Sequence, residues 1–280
     1  MARSEPGTIN IIGAGKVGMT LGRLLRDKGY AVQDVLNRSM ESATAAIAFM
    51  GGGHAVAELQ ECRPAQFWLI GTGDRDIEAA CAALSASGKL TAHAVVFHCS
   101  GALASDKLDS ARRAGARTAS LHPIRSFADP ALAVRDFTGT WCGIEGEEHA
   151  VTALTAACEA IGGRPLLLRA ETKVLYHGAA VMASNYLVTL IDAALKTYHA
   201  AGVPEAVARE LLEPLVRGTV DNVFRLGTAA ALTGPIARGD MSIVQRQQAA
   251  IAAAAPACGA LYESFIELAQ DLARRKREAR

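Results

Sequence analysis

Gly13-Ala14-Gly15-Lys16-Val17-Gly18 is the stretch on which the reading of this chain turns. It fits the pattern G-x-G-x-x-G. A short β-rich apolar run, Thr8 to Ile12, leads into it, and helical periodicity from Val17 to Asp27 follows. That order gives each glycine a physical task. Gly13 permits the tight turn, Gly15 lets backbone approach a pyrophosphate, and Gly18 lets the helix pack close to a sheet. The helix start adds amide donors and a positive dipole end for phosphate oxygens. The alternative is a purely structural glycine turn in some other α/β fold.

Outward from the turn, strand and helix patterns alternate. Strands are expected over Ala31–Leu36, Phe67–Ile70, Ala94–His98, Arg117–Leu121, Thr140–Ile144 and Pro165–Leu168. Helical stretches fall between several of them, as at Asp76–Leu84, Ser105–Ala114 and Glu147–Ala160. Such alternation predicts βαβ units in a doubly wound, mostly parallel sheet. Past Ala170 the strand patterns stop. Helices are expected over Glu171–Ala200, Pro204–Arg225, Ser242–Ala253 and Ala257–Arg274, with Pro214 kinking or splitting the second. The domain boundary is set near Arg169: an α/β nucleotide-binding domain over 1–169, then an all-α domain over 170–280.

The 280 residues suit one large or two modest domains at ~100–200 residues each. Half of them are hydrophobic, enough to fill a core. The 29 basic and 28 acidic residues leave a net charge of +1, so no global field draws nucleic acid or an anionic membrane. The six cysteines form no C-x-x-C pair, which argues against a zinc knuckle or dithiol site and suits a reducing cytoplasm. The N-terminal residues have no apolar signal-peptide core. The apolar stretch from His177 to Asp192 is interrupted by Ser184, Asn185 and Thr189 and reads as a buried helix, not a membrane span.

The tip of the second strand bears on the choice of dinucleotide. NAD sites usually carry an acid there for the ribose 2′-hydroxyl. Here the strand ends Leu36-Asn37-Arg38-Ser39, with Asp34 three residues early. Arg38 can pair with a 2′-phosphate, and Asn37 and Ser39 can add hydrogen bonds, so NADP is expected over NAD. Three further strand ends offer residues for the nicotinamide half of the cleft: Gly71-Thr72-Gly73-Asp74, His98-Cys99-Ser100-Gly101 and His122-Pro123. Gly71, Thr72 and Ser100 are assigned to the cofactor. On the first helix of the second domain Lys173 and His177 stand four apart, on one face that continues through Ala180 to Ser184, with Asn185 on its flank. Lys173 and His177 could move a proton or orient a carbonyl, or could form an ordinary solvated basic stripe. The segment Leu232–Asp240 reads as a shaped loop in which Arg238 holds an anionic group or pairs with an acid, and Asp240 caps the next helix.

On these residues the N-terminal half resembles the NADP-binding domains of pyrroline-5-carboxylate reductase and prephenate dehydrogenase. The carrying segments are GAGKVG from Gly13 and NRS from Asn37. Nearly the whole chain is similar to a bacterial family of Rossmann-like oxidoreductases whose helical C-terminal domain has no assigned function. The matching stretches are HCSGAL from His98, SLHPIRSF from Ser120, KVLYHGAAVMASNYL from Lys173 and LTGPIARGD from Leu232. The resemblance implies that His122, before Pro123, lies near the nicotinamide. It also implies that Lys173 and His177 occupy the Lys-x-x-x-Asn positions of β-hydroxyacid dehydrogenases, with histidine replacing asparagine. Lys173, His177 and His122 are therefore the expected catalytic residues, and Ser184, Asn185 and Arg238 the expected substrate contacts. No metal is expected. Ketopantoate reduction within the wider group suggests a small 2-keto acid. Imine reduction of the pyrroline-5-carboxylate kind is the alternative, although the helical half lacks that family's Gly-Ser-Gly-Pro segment. A silent NADP-binding regulator is a third possibility. Long alanine-rich apolar faces in the helical half suggest a homodimer.

Overall fold

The computed structural model describes residues 6–279. Two compact units divide at Val181/Met182. This lies beyond the composition change at Arg169, because the following helix begins against the sheet of the first unit.

In chain order the first unit carries β1 (Thr8–Ile12), α1 (Lys16–Arg26), β2 (Ala31–Leu36), α2 (Met40–Met50), β3 (His54–Val56), β4 (Phe67–Ile70), α3 (Ile77–Ala86), β5 (Val95–His98), α4 (Asp109–Arg113), β6 (Arg117–Pro123), α5 (Pro130–Arg135), β7 (Trp141–Gly146), α6 (Glu148–Ala160) and β8 (Arg164–Leu167). The strands form one sheet in the order β3-β2-β1-β4-β5-β6-β7-β8. Every pairing is parallel except β6 with β7. The chain reverses direction across the sheet between β1 and β4, where ligands of doubly wound folds bind beyond the carboxyl ends of the strands.

The core lies in two layers, one on each face. Phe67 and Leu69 join Ile9, Ile11 and the buried side of α1 in one layer; Trp68 and Ile70 join Ile12, Ile77 and Leu84 in the other. Adjacent residues of β4 thus feed opposite layers, as the period of two in a strand requires. Burial on both faces explains why this strand reads as a continuous apolar run.

The helix α7 (Lys173–Ala183) crosses the unit boundary, and α8 (Asn185–Ala200), α9 (Glu205–Leu226), α10 (Thr228–Ala231), α11 (Gly234–Arg238), α12 (Met241–Ala254) and α13 (Pro256–Glu278) follow. Within the second unit α12 packs on α13 and α8 on α9. A side chain at Gly259 would place its β-carbon 2.6 Å from the Ala252 α-carbon, so glycine permits the close α12–α13 approach.

Several expectations change. β3 and the helices α2 and α5 were not read from the sequence. Helix α9 runs unbroken through Pro214. The expected loop at Leu232–Asp240 contains α11, and Asp240 occupies the start of α12 without a side-chain cap. The stretch from His177 to Asp192 is not buried. It belongs to a helical segment, Ala170–Ala200, with mean hydropathy 1.4 over its most apolar 18-residue window and 0% of that window buried. By length and composition alone this segment could cross a membrane.

Candidate functional site

The turn after β1 is built by backbone. Gly13 sits at φ +85°, and its amide donates to Leu36 O at 2.8 Å. A β-carbon there would lie 2.7 Å from the Thr72 amide nitrogen, so the loops after β1 and β4 meet with no space for a side chain. Gly15 differs: nothing lies within 4 Å of where its β-carbon would stand. It begins α1, whose first turn has neither a side-chain cap nor an acidic residue. The first amides of a helix have no intrahelical acceptor, so this end is open to an anion. Thr72 Oγ1, buried beside Gly13, has no hydrogen-bond partner among the described residues.

The other expected cofactor residues divide by what engages them. Asn37 Oδ1 accepts from the Ala14 amide at 2.6 Å, which closes the turn and leaves only its amide group to donate elsewhere. Ser39 caps α2 by accepting from the Ser42 amide at 3.2 Å. Lys16 Nζ donates to Ala128 O at 2.8 Å. Val17 packs on the core. Arg38 is exposed and has no hydrogen bond or ion pair among the described residues. Asp34 faces inward and meets Arg63 at 2.8 Å. Burial raises its carboxyl pKa, but the Arg63 hydrogen bonds outweigh this and hold it below the usual range. It is a structural acid, not a ribose ligand.

At the ends of β5 and β6 three aromatic side chains converge. His122 Nδ1 lies 3.2 Å from the Tyr176 hydroxyl. The His122 and His177 rings stand edge to face, with centroids 5.4 Å apart. Both pack on Gly101: a β-carbon there would fall 2.3 Å from His177 Nδ1 and 2.8 Å from His122 Nε2. His177 Nδ1 is buried without a hydrogen-bond partner among the described residues. Burial, reinforced by His177 and Lys173, depresses the His122 pKa to about 4, so the ring is neutral near pH 7. Burial pushes the Tyr176 hydroxyl up to about 12.

Lys173 shares a helix face with His177, as its spacing predicts, but it is neither solvated nor open to a ligand. It is fully buried. Its ammonium donates to Ser120 Oγ at 2.5 Å and Ser100 O at 3.1 Å, and stands 3.5 Å from Glu145 Oε1. Glu145 also accepts from Ser120 Oγ at 2.7 Å, and from the Ser105 amide at 2.8 Å and hydroxyl at 2.9 Å. Burial lowers the Lys173 pKa, and Glu145 opposes that shift. The lysine expected to be catalytic thus ties the start of α7 to β6, β7 and the loop after β5. His98 is likewise structural. Its Nδ1 accepts from the Ser100 amide at 3.1 Å and its Nε2 faces Ala104 O at 3.0 Å. Ser100 Oγ donates to Asp74 at 2.9 Å and accepts from the Ala102 and Leu103 amides, so it shapes the loop around Gly101.

The expected substrate residues fall in the second unit. Ser184 interrupts the helix between α7 and α8, at φ −116° and ψ −70°, which ends the stripe drawn from Lys173. Asn185 follows as the first residue of α8 and is exposed. Arg238 Nε bonds Asp240 Oδ2 at 2.9 Å, so it already has an acid partner. No group of three or more metal-ligating side chains occurs among the described residues. The sequence reading does not single out Tyr176 or Glu145, while Gly101 stands in the strand end it assigns to the nicotinamide half of the cleft. The readable signal was Glu145: a lone carboxylate in an apolar strand demands a buried partner.

Residues 3–123 match the Rossmann-like domain family, and residues 140–268 match a domain of unknown function, DUF2520. The two matches follow one another along the chain. It is similar in structure to TM1727 from Thermotoga maritima, with 28% identity, a TM-score of 0.74, and coverage of 96% of this chain and 99% of that one. A Bacteroides fragilis protein, BF3122, provisionally named an NADP oxidoreductase, has 21% identity and a TM-score of 0.78 over 95% of this chain and 99% of its own. An imine reductase from Myxococcus stipitatus, in complex with NADP+, has 18% identity and a TM-score of 0.67, covering 94% and 93%. Among curated proteins none matches significantly.

Proposed function

We propose that this chain is an NADP(H)-dependent oxidoreductase that reduces a small carbonyl compound, of which a 2-keto acid is the leading class. The observation that carries the reading is the open amino end of α1. Its first amides are uncapped, and Gly15 presents vacant space where a side chain would block a pyrophosphate. The residues present fit the group. Thr72 has a free hydroxyl beside the turn, and Arg38 stands unpartnered just beyond β2, where a ribose 2′-phosphate would need a cation. When bound, the cofactor supplies hydride from its nicotinamide.

The protein's own part is the proton and the position. Lys173 and Glu145 anchor α7 so that His177 meets His122 across Gly101. His177 is the group we assign to hold and deliver the proton to the substrate oxygen, through Nε2, because the residue is half-buried and its Nδ1 is closed off against Gly101. Imine reduction is the second reading. One observation favours it: the Lys173 ammonium is engaged by Glu145 and Ser120, and so is not available to a keto-acid carboxylate.

The second unit supports a homodimer. Helix α8 buries no residue: Tyr186 and Leu190, four apart and so on one face, stand exposed, and so does Val188 on the opposite side, apolar surface that suits a second copy. The six free thiols suit a reducing cytoplasm.

The test is NADPH oxidation by purified protein over a panel of small keto acids, ketones and cyclic imines, repeated with His177→Ala. Turnover on the carbonyl members, reduced about a hundredfold or more in the variant, is expected for a lost general acid. NADPH binding with no turnover on any member would favour a regulator instead.

A further inference from the structure

The role of His122 depends on which of its ring nitrogens carries the proton, and Tyr176 supplies the means of deciding it. Resting on the reading of His177, beside His122, as the group that delivers the proton, we propose that Tyr176 is a positioning residue that holds the His122 proton on Nε2. His122 then presents a donor toward the unpartnered Nδ1 of His177.

A phenol has a single O–H, and the Tyr176 hydroxyl makes its side-chain hydrogen bond to His122 Nδ1, at 3.2 Å. Two arrangements are possible. The phenol can donate to a bare Nδ1, or an Nδ1–H can donate to the phenol oxygen. The second leaves the hydroxyl hydrogen of a half-buried group with no acceptor among the described residues. The first uses it, and pairs the better donor with the better acceptor, since an imidazole nitrogen accepts more strongly than a phenol oxygen. The hydroxyl stays protonated across the working range, so it remains a donor.

A proton fixed away from Nδ1 must reside on Nε2 of the neutral ring. That nitrogen and His177 Nδ1 both lie against Gly101, where a single β-carbon would meet the two of them. No hydrogen bond joins them here, since His177 Nδ1 has no partner. A donor on His122 nevertheless favours a bare Nδ1 on His177, and hence a proton on His177 Nε2. Tyr176 thus acts through His122 on the tautomer of His177, without touching the reacting atoms. Gly143 makes room for this: a β-carbon there would lie 2.8 Å from the phenol oxygen.

The experiment is long-range proton–nitrogen correlation on protein labelled with 15N-histidine, near neutral pH. The His122 signals are assigned by their loss in His122→Gln. The expected result is an Nε2–H tautomer for His122 in the native protein. In Tyr176→Phe it should give way to a tautomer mixture, with NADPH affinity within about twofold of native. An Nδ1–H tautomer in the native protein would overturn the proposal, and so would a His122 that remains Nε2–H in Tyr176→Phe. A His177→Gln protein tests the same point from the other side: His122 should keep its Nε2–H form, because Tyr176 is still present. Loss of that form would overturn the proposal too. Absence of NADPH binding in the native protein would defeat the functional reading and leave the tautomer result standing by itself.

Discussion

The first unit closes on itself and the second does not. In the sheet-bearing half, two apolar layers cover the strands, and its most deeply buried charge, Lys173, meets three acceptors. In the helical half, α8 buries no residue, while α9 and α13, helices of 22 and 23 residues, bury two each. Phe224 is 86% exposed and Val188 68%. The contrast teaches that the two halves depend on different things. The first is stabilised by its own packing and buried polar network. The second presents apolar helix surface that a single chain leaves in water, which is a reason to look for a second copy.

The sharpest break of this comparison is Lys173→Ala. It would leave Glu145, with its side chain 4% exposed, as an uncompensated buried charge. Losing one partner of such a pair costs about 3–5 kcal/mol, and urea unfolding should show it. A loss below about 1 kcal/mol would mean that the pair is not sealed from water.

Acid should act on the same half. Burial depresses the His98 pKa from 6.5 to about 4. The fold therefore favours the neutral ring, and this contribution is intact above pH 6.5. It is lost as pH falls through the interval down to about 4, and amounts to roughly 3 kcal/mol for the one imidazole. His122 acts in the same direction. Unfolding free energy measured against pH should fall in that window, less steeply in His98→Gln if that variant folds.

For the second half, Val188→Asp places a charge on the exposed face of α8. If a second copy covers it, self-association should weaken about a hundredfold by sedimentation or light scattering. An unchanged mass would move the interface elsewhere, and a native protein already monomeric would remove the proposal. At the dinucleotide end, Arg38→Glu should weaken NADPH about tenfold to a hundredfold, the worth of a charged hydrogen bond, and barely change NADH. Arg238→Ala should do least. Its partner is Asp240, with side chains 61% and 42% exposed, and such pairs contribute below about 0.5 kcal/mol. A larger loss would assign that pair a role in binding.

What could be read ahead of the structure follows the range of the interactions. The glycine turn and the strands around it are local. Gly13, Gly15 and Gly18 carry their geometry in their own spacing, and β1, β2 and β4 appear at the residues expected of them. β3 has three residues, too few for any periodicity. The Lys173–His177 face was read correctly, but not the burial of Lys173. Burial comes from Glu145 and Ser120, 28 and 53 residues away in the chain, and a helix pattern carries nothing about them. Tyr176 was passed over because it stands next to His177, about 100° around the helix, while its partner His122 is 54 residues distant. Pro214 shows the converse error, in which a local rule was overridden and α9 continued through it.

On the proposed function, the loops beyond the carboxyl ends of β1, β4 and β5, from Gly13 to Gly101, receive NADP(H). Fluorescence titration of the purified protein with NADPH and then NADH tests it most directly. Saturable NADPH binding, at least tenfold tighter than NADH, is expected. Binding of neither would leave the glycine turn a purely structural device and contradict it.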